Sequence, residues 1–92
     1  LRDFEARFTG VAARIREALA AGELSLATRL AHSVKGTSGM ISARNLATLA
    51  AALEKAISSN SPEIDSCLAH FEIELERVLG GIRGAFKAAD AA

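Results

Sequence analysis

The sequence predicts an all-α fold: an antiparallel up-and-down four-helix bundle with a short extra N-terminal helix. Three observations predict it. Apolar residues recur at three- and four-residue spacing along nearly the whole chain. Alanine is abundant while proline occurs once, and no segment alternates as a strand would. The breaks between periodic runs are short, which favours antiparallel neighbours. The 92 residues form one domain, with a core over about residues 4–82 and an alanine-rich tail at 87–92.

Phe4, Phe8, Val11, Ile15 and Leu19 share one helical face, and Thr9-Gly10 hinges that run into a short helix and a longer one. Ala20-Ala21-Gly22 ends it, with Gly22 suited to a left-handed terminus. The next helix runs from about Leu24 to Gly39. Its buried stripe is Ala27, Leu30, Ala31 and Val34, with Leu26 near the edge. Ser42 is placed to cap a third helix carrying Leu46, Leu49, Leu53, Ala56 and Ile57. Residues 58–62 are a loop, and Pro62 fits the first turn of the last helix. That helix carries Ile64, Leu68, Phe71, Leu75, Val78, Leu79 and Ile82. Gly80-Gly81 weakens its end, and the tail after Phe86 is expected to fray.

Composition excludes several functions. Eleven basic side chains oppose eleven acidic ones, so there is no electrostatic footprint for nucleic acid. Without Trp or Tyr, and with four Phe, stacking platforms for bases are missing. A single Cys67 excludes an internal disulfide and a multi-cysteine zinc site, and suits a reducing compartment. No apolar run approaches the roughly 20 residues of a membrane span. The chain opens on Leu1-Arg2-Asp3 with no signal-peptide pattern, and reads as a piece of a longer protein. Its small size argues against a self-contained enzyme.

The informative stretch is Ala31-His32-Ser33-Val34-Lys35-Gly36-Thr37-Ser38-Gly39. His32 lies off the buried stripe, on a side shared with Arg29, Lys35, Gly36 and Gly39. Two glycines here cost about 1 kcal/mol each relative to alanine, so bare backbone is wanted beside the histidine. Gly36 clears room for a group on the imidazole or for a partner's backbone. Lys35 brings a cation to an anion held at the ring. A neutral imidazole is a nucleophile near neutral pH. A hairpin turn centred near residues 41–44 sets His32 level with the neighbourhood of Glu54, and Lys35 and Gly36 level with Ala51 and Ala50. A Glu54 carboxylate accepting from His32 Nδ1–H would fix the tautomer with Nε2 bare.

At these residues the chain resembles the histidine-containing phosphotransfer (HPt) domain family. The family pattern is His-x-hydrophobic-Lys-Gly-small-small, a Gly-Ala-type turn, then Leu and Leu-Glu on the following helix. It reads here as His32-Ser33-Val34-Lys35-Gly36-Thr37-Ser38, Ser42-Ala43, Leu46, Leu49 and Leu53-Glu54. The resemblance covers about residues 4–82, and its specific part is 31–54. It implies a phosphorelay module of two-component signalling that carries a phosphoryl group between aspartates of receiver domains. His32 would be phosphorylated at Nε2, Lys35 would stabilise the phosphoryl oxygens, Gly36 would give clearance, and Glu54 would orient the imidazole. The receiver would bring Mg²⁺, so the chain itself would need no cofactor, metal or nucleotide site. It also implies a cytoplasmic, monomeric module, either free-standing or part of a hybrid histidine kinase that is itself membrane-anchored or not. Two other readings share the bundle: a kinase-phosphorylated substrate domain of a chemotaxis-type kinase, and a non-phosphorylated helical adaptor or dimerisation bundle. The chain departs from the family at Ser42 (usually Gly), Met40 (commonly Asn), Glu23 (a poorer cap than Asp) and Ser58, which offers no second phosphate ligand.

Outside this stretch, His70 reads as a partly exposed structural histidine and Cys67 as a small core residue. Met40 and Ile41 read as packing residues, with a docking patch as the alternative. Glu72-Glu74-Glu76-Arg77 reads as a solvated face. Arg29 and Lys35 make a local cationic patch that the zero net charge hides.

Overall fold

The structure, a computed structural model, describes residues 2–91, with side chains through Ala88. Five helices follow in order: α1 (Arg2–Phe8), α2 (Val11–Ala20), α3 (Leu24–Met40), α4 (Arg44–Ser58) and α5 (Ile64–Ala91). No strand occurs among the described residues. α3 packs on α2 and α4, and α5 closes the ring against α4 and α2 while also carrying α1. This is the expected four-helix bundle with its extra N-terminal helix. At 28 residues, α5 is about 42 Å long at 1.5 Å per residue, which sets the long axis of a 48 × 23 × 19 Å molecule.

The break between α1 and α2 falls where Thr9-Gly10 predicts it. Gly10 takes φ 77°, and Thr9 Oγ1 donates back to the Glu5 carbonyl at 2.6 Å. α1 then lies against the C-terminal half of α5. Phe4 and Phe8 are buried with ring centroids 4.9 Å apart, Arg83 pairs with Glu5 at 2.7 Å, and the Arg2 guanidinium sits 4.3 Å above the Phe86 ring.

Three helix ends use one device, in which a left-handed residue lets an amide beyond the helix reach a carbonyl in its last turn. Glu23 N–H donates to the Ala18 carbonyl past Gly22 (φ 75°). Ala43 N–H donates to Ser38 past Ser42 (φ 62°), and Ser61 N–H donates to Ala56 past Asn60 (φ 52°). Ser42 therefore does not cap α4; Ala43 holds that position, with no side-chain cap bond. The chain must reverse within three residues, and Ser42 is used for that reversal. A non-glycine residue pays about 1–2 kcal/mol in this conformation, against about 0.5–1 kcal/mol of extra chain entropy for glycine. Ser42→Gly is thus expected to stabilise the fold by about 0.5–1 kcal/mol. A thermal melt checks this; an unchanged or lower midpoint contradicts it.

Other boundaries shift for local reasons. Pro62 precedes α5 by two residues instead of lying in its first turn. Residues 61–63 form their own turn, with the Glu63 amide donating to Ser61 Oγ at 3.1 Å, and α5 starts beyond it. Gly80-Gly81 does not interrupt α5, because Leu79 and Ile82 are buried on either side of the pair. The backbone stays helical through Ala91, so the tail expected to fray is helical as far as it is described; residue 92 and the side chains of 89–92 lie outside the described residues.

The core is continuous: Val11, Ile15, Val34, Leu46, Leu53, Ile57, Phe71, Leu75 and Leu79 are fully or almost fully buried. On α3 the inward stripe is Ala27, Ala31, Val34 and Ser38, with Ser38 Oγ buried and lacking a hydrogen-bond partner. Leu30 is only half-buried. With Leu26 it lines an open groove of about 500 Å³ between α2 and α3. Cys67 is partly buried against the core. Ile41 packs on the core as expected, but Met40 is 85% exposed. Two residues past buried Ser38, Met40 stands about 200° around the helix, facing away from the bundle.

Candidate functional site

The α3–α4 hairpin builds the site. Ala31 and Leu53 are both fully buried at the interface between these helices, and the next residue on each helix is His32 or Glu54. One residue turns a helix by about 100°, so both side chains step from the core onto the same rim. The tight turn at 41–43 fixes their register. His32 Nδ1 lies 2.8 Å from Glu54 Oε2. Lys35, one turn along α3, places Nζ 2.9 Å from Glu54 Oε1. Each carboxylate oxygen therefore has its own nitrogen partner.

Exposure grades across this triad. The His32 side chain is 63% exposed, Lys35 37% and Glu54 22%. The carboxylate is the inner member and the ring is the outer one. The hydrogen bond from Lys35 is the main influence holding the Glu54 carboxyl below its ordinary range; burial opposes it and the bond from His32 assists it. Glu54 is thus ionised at neutral pH, and an ionised carboxylate only accepts hydrogen bonds. The proton of a neutral His32 ring must then sit on Nδ1, which leaves a lone pair on Nε2. Nε2 has no protein partner among the described residues.

Gly36 is exposed, and a Cβ built there meets nothing within 4 Å. Its backbone is ordinary helix, so neither internal packing nor a positive φ requires glycine at this position. Whatever benefits from the missing side chain approaches from outside.

His32 and Glu54 meet across the hairpin as its register predicts, and Lys35 lies on the same side. Lys35 also pairs with Glu54, so the free positive charge at the expected Arg29–Lys35 patch is smaller than the sequence suggests. The signal was present in the hairpin register, because a lysine stem is long enough to reach a carboxylate that is one turn out of level. Arg29 is exposed one turn before His32. Ser58 turns inward on its own helix, donating to the Lys55 carbonyl at 3.2 Å. His70 lies on the exposed face of α5, and Cys67 lines a separate groove between α4 and α5. The acidic run on α5 is not simply solvated: Glu72 pairs with Arg16 at 2.6 Å and Glu74 with Arg77 at 2.6 Å. No group of three or more potential metal ligands assembles among the described residues, and no helix there is long and apolar enough to cross a membrane.

No curated protein and no solved structure matches the chain. The model of the Hpt domain family matches residues 1–90, nearly the whole of it. With its histidine on the rim of a helical hairpin in an all-α bundle, the chain belongs to the Hpt domain family, the histidine phosphotransfer modules of phosphorelay signalling.

Proposed function

We propose that His32 is the residue that carries the phosphoryl group, on Nε2, between aspartates of receiver domains. The observation that carries this reading is the Glu54 carboxylate 2.8 Å from Nδ1. It holds the proton on the inner nitrogen and leaves the outer one nucleophilic. In the transfer, the Nε2 lone pair forms a P–N bond as the P–O bond to the donor aspartate breaks. That bond's electron pair departs with the carboxylate. The ring, now cationic, keeps its Nδ1 proton against Glu54, whose negative charge stabilises it. Passing the group on is the reverse: an acceptor carboxylate attacks phosphorus and the P–N electron pair returns to Nε2. Little covalent chemistry is asked of the protein beyond positioning and charge stabilisation.

On this reading Lys35 contacts the phosphoryl oxygens, turning from Glu54 towards the incoming charge. Gly36 admits the receiver's backbone beside the ring. Gly36→Gln is expected to stabilise the helix by about 0.5 kcal/mol, because glutamine is the better helix former. The same change slows transfer by filling the approach. A melt together with a transfer assay checks both signs, and transfer at the wild-type rate contradicts the clearance role.

The module works where its receivers are, in the cytoplasm, as a monomer, within a hybrid histidine kinase or alone. A second reading, phosphorylation by an ATP-loaded kinase domain of the chemotaxis type, is favoured by Glu54, because the family resemblance sets glutamine at this position in some members and glutamate in chemotaxis-kinase-like ones. Incubating the chain with phosphorylated receiver domains, and separately with such a kinase domain, tests the proposal. Acid-labile phosphate arriving from the receivers is expected. Labelling by the kinase domain alone would favour the second reading, and labelling by neither would leave the adaptor role.

A further inference from the structure

The Lys35–Glu54 pair changes where the available positive charge lies. Lys35 is held at 2.9 Å by a carboxylate that is also held by His32, so this cluster presents little net charge to an approaching partner. Arg29 differs. It is exposed, three residues before His32 on the same face of α3, and forms no ion pair or side-chain hydrogen bond among the described residues.

Arg29 also borders a shallow groove of about 420 Å³ between the start of α3 and the end of α4, with Leu24, Thr28, Ile57 and Ser58 among its walls. The groove adjoins the phosphotransfer site from both helices. Thr28 lies one turn before His32 on α3, and Ser58 one turn after Glu54 on α4. Its chemistry is mixed: an unpaired guanidinium, hydroxyls and a 45%-exposed Leu24. No acidic side chain lines it. That is the rim composition expected of an interface that takes a partner carboxylate next to an apolar contact.

Resting on the relay reading above, we propose that Arg29 is the ionic anchor for the receiver domain, gripping a carboxylate on the rim of the receiver's acidic phosphoacceptor face while the groove beside it takes an apolar side chain of the same partner. Arg29 is then a specificity-determining residue for docking and does not touch the transferred phosphoryl group. An anchor of this kind acts on encounter and dissociation, so it lowers the half-saturating receiver concentration and makes transfer salt-dependent.

The test measures transfer to His32 from acetyl-phosphate-charged receiver domains against receiver concentration, at low and high salt, for wild type, Arg29→Glu and Arg29→Lys. Arg29→Glu is expected to raise the half-saturating receiver concentration about tenfold at low salt, with the maximal rate nearly kept. It should also flatten the salt dependence, and Arg29→Lys should recover most of the loss. Equal half-saturation for wild type and Arg29→Glu would overturn the anchor while leaving the relay intact. A lower maximal rate at unchanged half-saturation would place Arg29 on the phosphoryl group and overturn it as well. A wild-type chain that accepts from no receiver would remove the relay reading itself, and the anchor with it.

Discussion

Replacing His32 with glutamine is expected to abolish phosphoryl labelling of the chain while leaving the bundle folded. Glutamine keeps a polar side chain of similar reach but offers no nucleophilic lone pair on nitrogen. The fold has little to lose, because the His32 side chain is 63% exposed and Ala31 and Val34 on either side of it carry the packing. Surface substitutions of this kind usually change stability by less than about 0.5 kcal/mol. Acid-labile phosphate counted after incubation with charged receivers, beside a thermal melt, checks both halves. Residual labelling of the variant would place the phosphoryl group elsewhere, and His70 is the only other histidine in the sequence.

Truncating Glu54 to alanine is expected to slow transfer by about tenfold or more, since the ring loses both the partner that fixes its tautomer and the charge that stabilises its cation. Glu54→Gln separates these roles from mere packing. An amide oxygen can still accept from Nδ1–H, so the tautomer survives, while the negative charge and the tie to Lys35 are lost. The glutamine variant should therefore transfer faster than the alanine variant. Equal rates for the two, or an alanine variant as fast as wild type, would contradict the orienting role. The pH dependence has a definite sign. The folded-state pKa of Glu54 is depressed, chiefly by Lys35. The stability gained from its ionised state is present above the pKa of the unfolded carboxyl, and is lost as pH falls through the lower folded value. Transfer measured across the neutral range should accordingly show no titration of Glu54.

Much of this was legible in the sequence for one reason: helical periodicity and a short hairpin together fix which residues face each other. The stripe through Ala27, Ala31 and Val34 and the run through Leu46, Leu53 and Ile57 define two faces, and closing the turn at 41–43 sets their register. His32 opposite Glu54 follows from that geometry without any side-chain detail. What escaped depends on details that periodicity does not carry. Ser42 has the composition of a cap, yet the reversal after α3 required a left-handed residue there. Met40 is apolar, but its position around α3 turns it outward. Local spacing shows the neighbours of Lys35 on α3 and not the reach of its stem across to Glu54 on α4. That last difference matters most for function, since of the two cations in the expected patch it leaves Arg29 alone without an ion pair among the described residues.

The central claim is that phosphoryl transfer uses the outer nitrogen of His32 while Glu54 keeps the inner one protonated. Phosphorus–nitrogen correlation NMR on the ¹⁵N-labelled, phosphorylated chain reads both nitrogens at once. The structure predicts phosphorus coupled to Nε2 of His32, with a proton retained on Nδ1. Phosphorus on Nδ1 of His32, or on either nitrogen of His70, would contradict it.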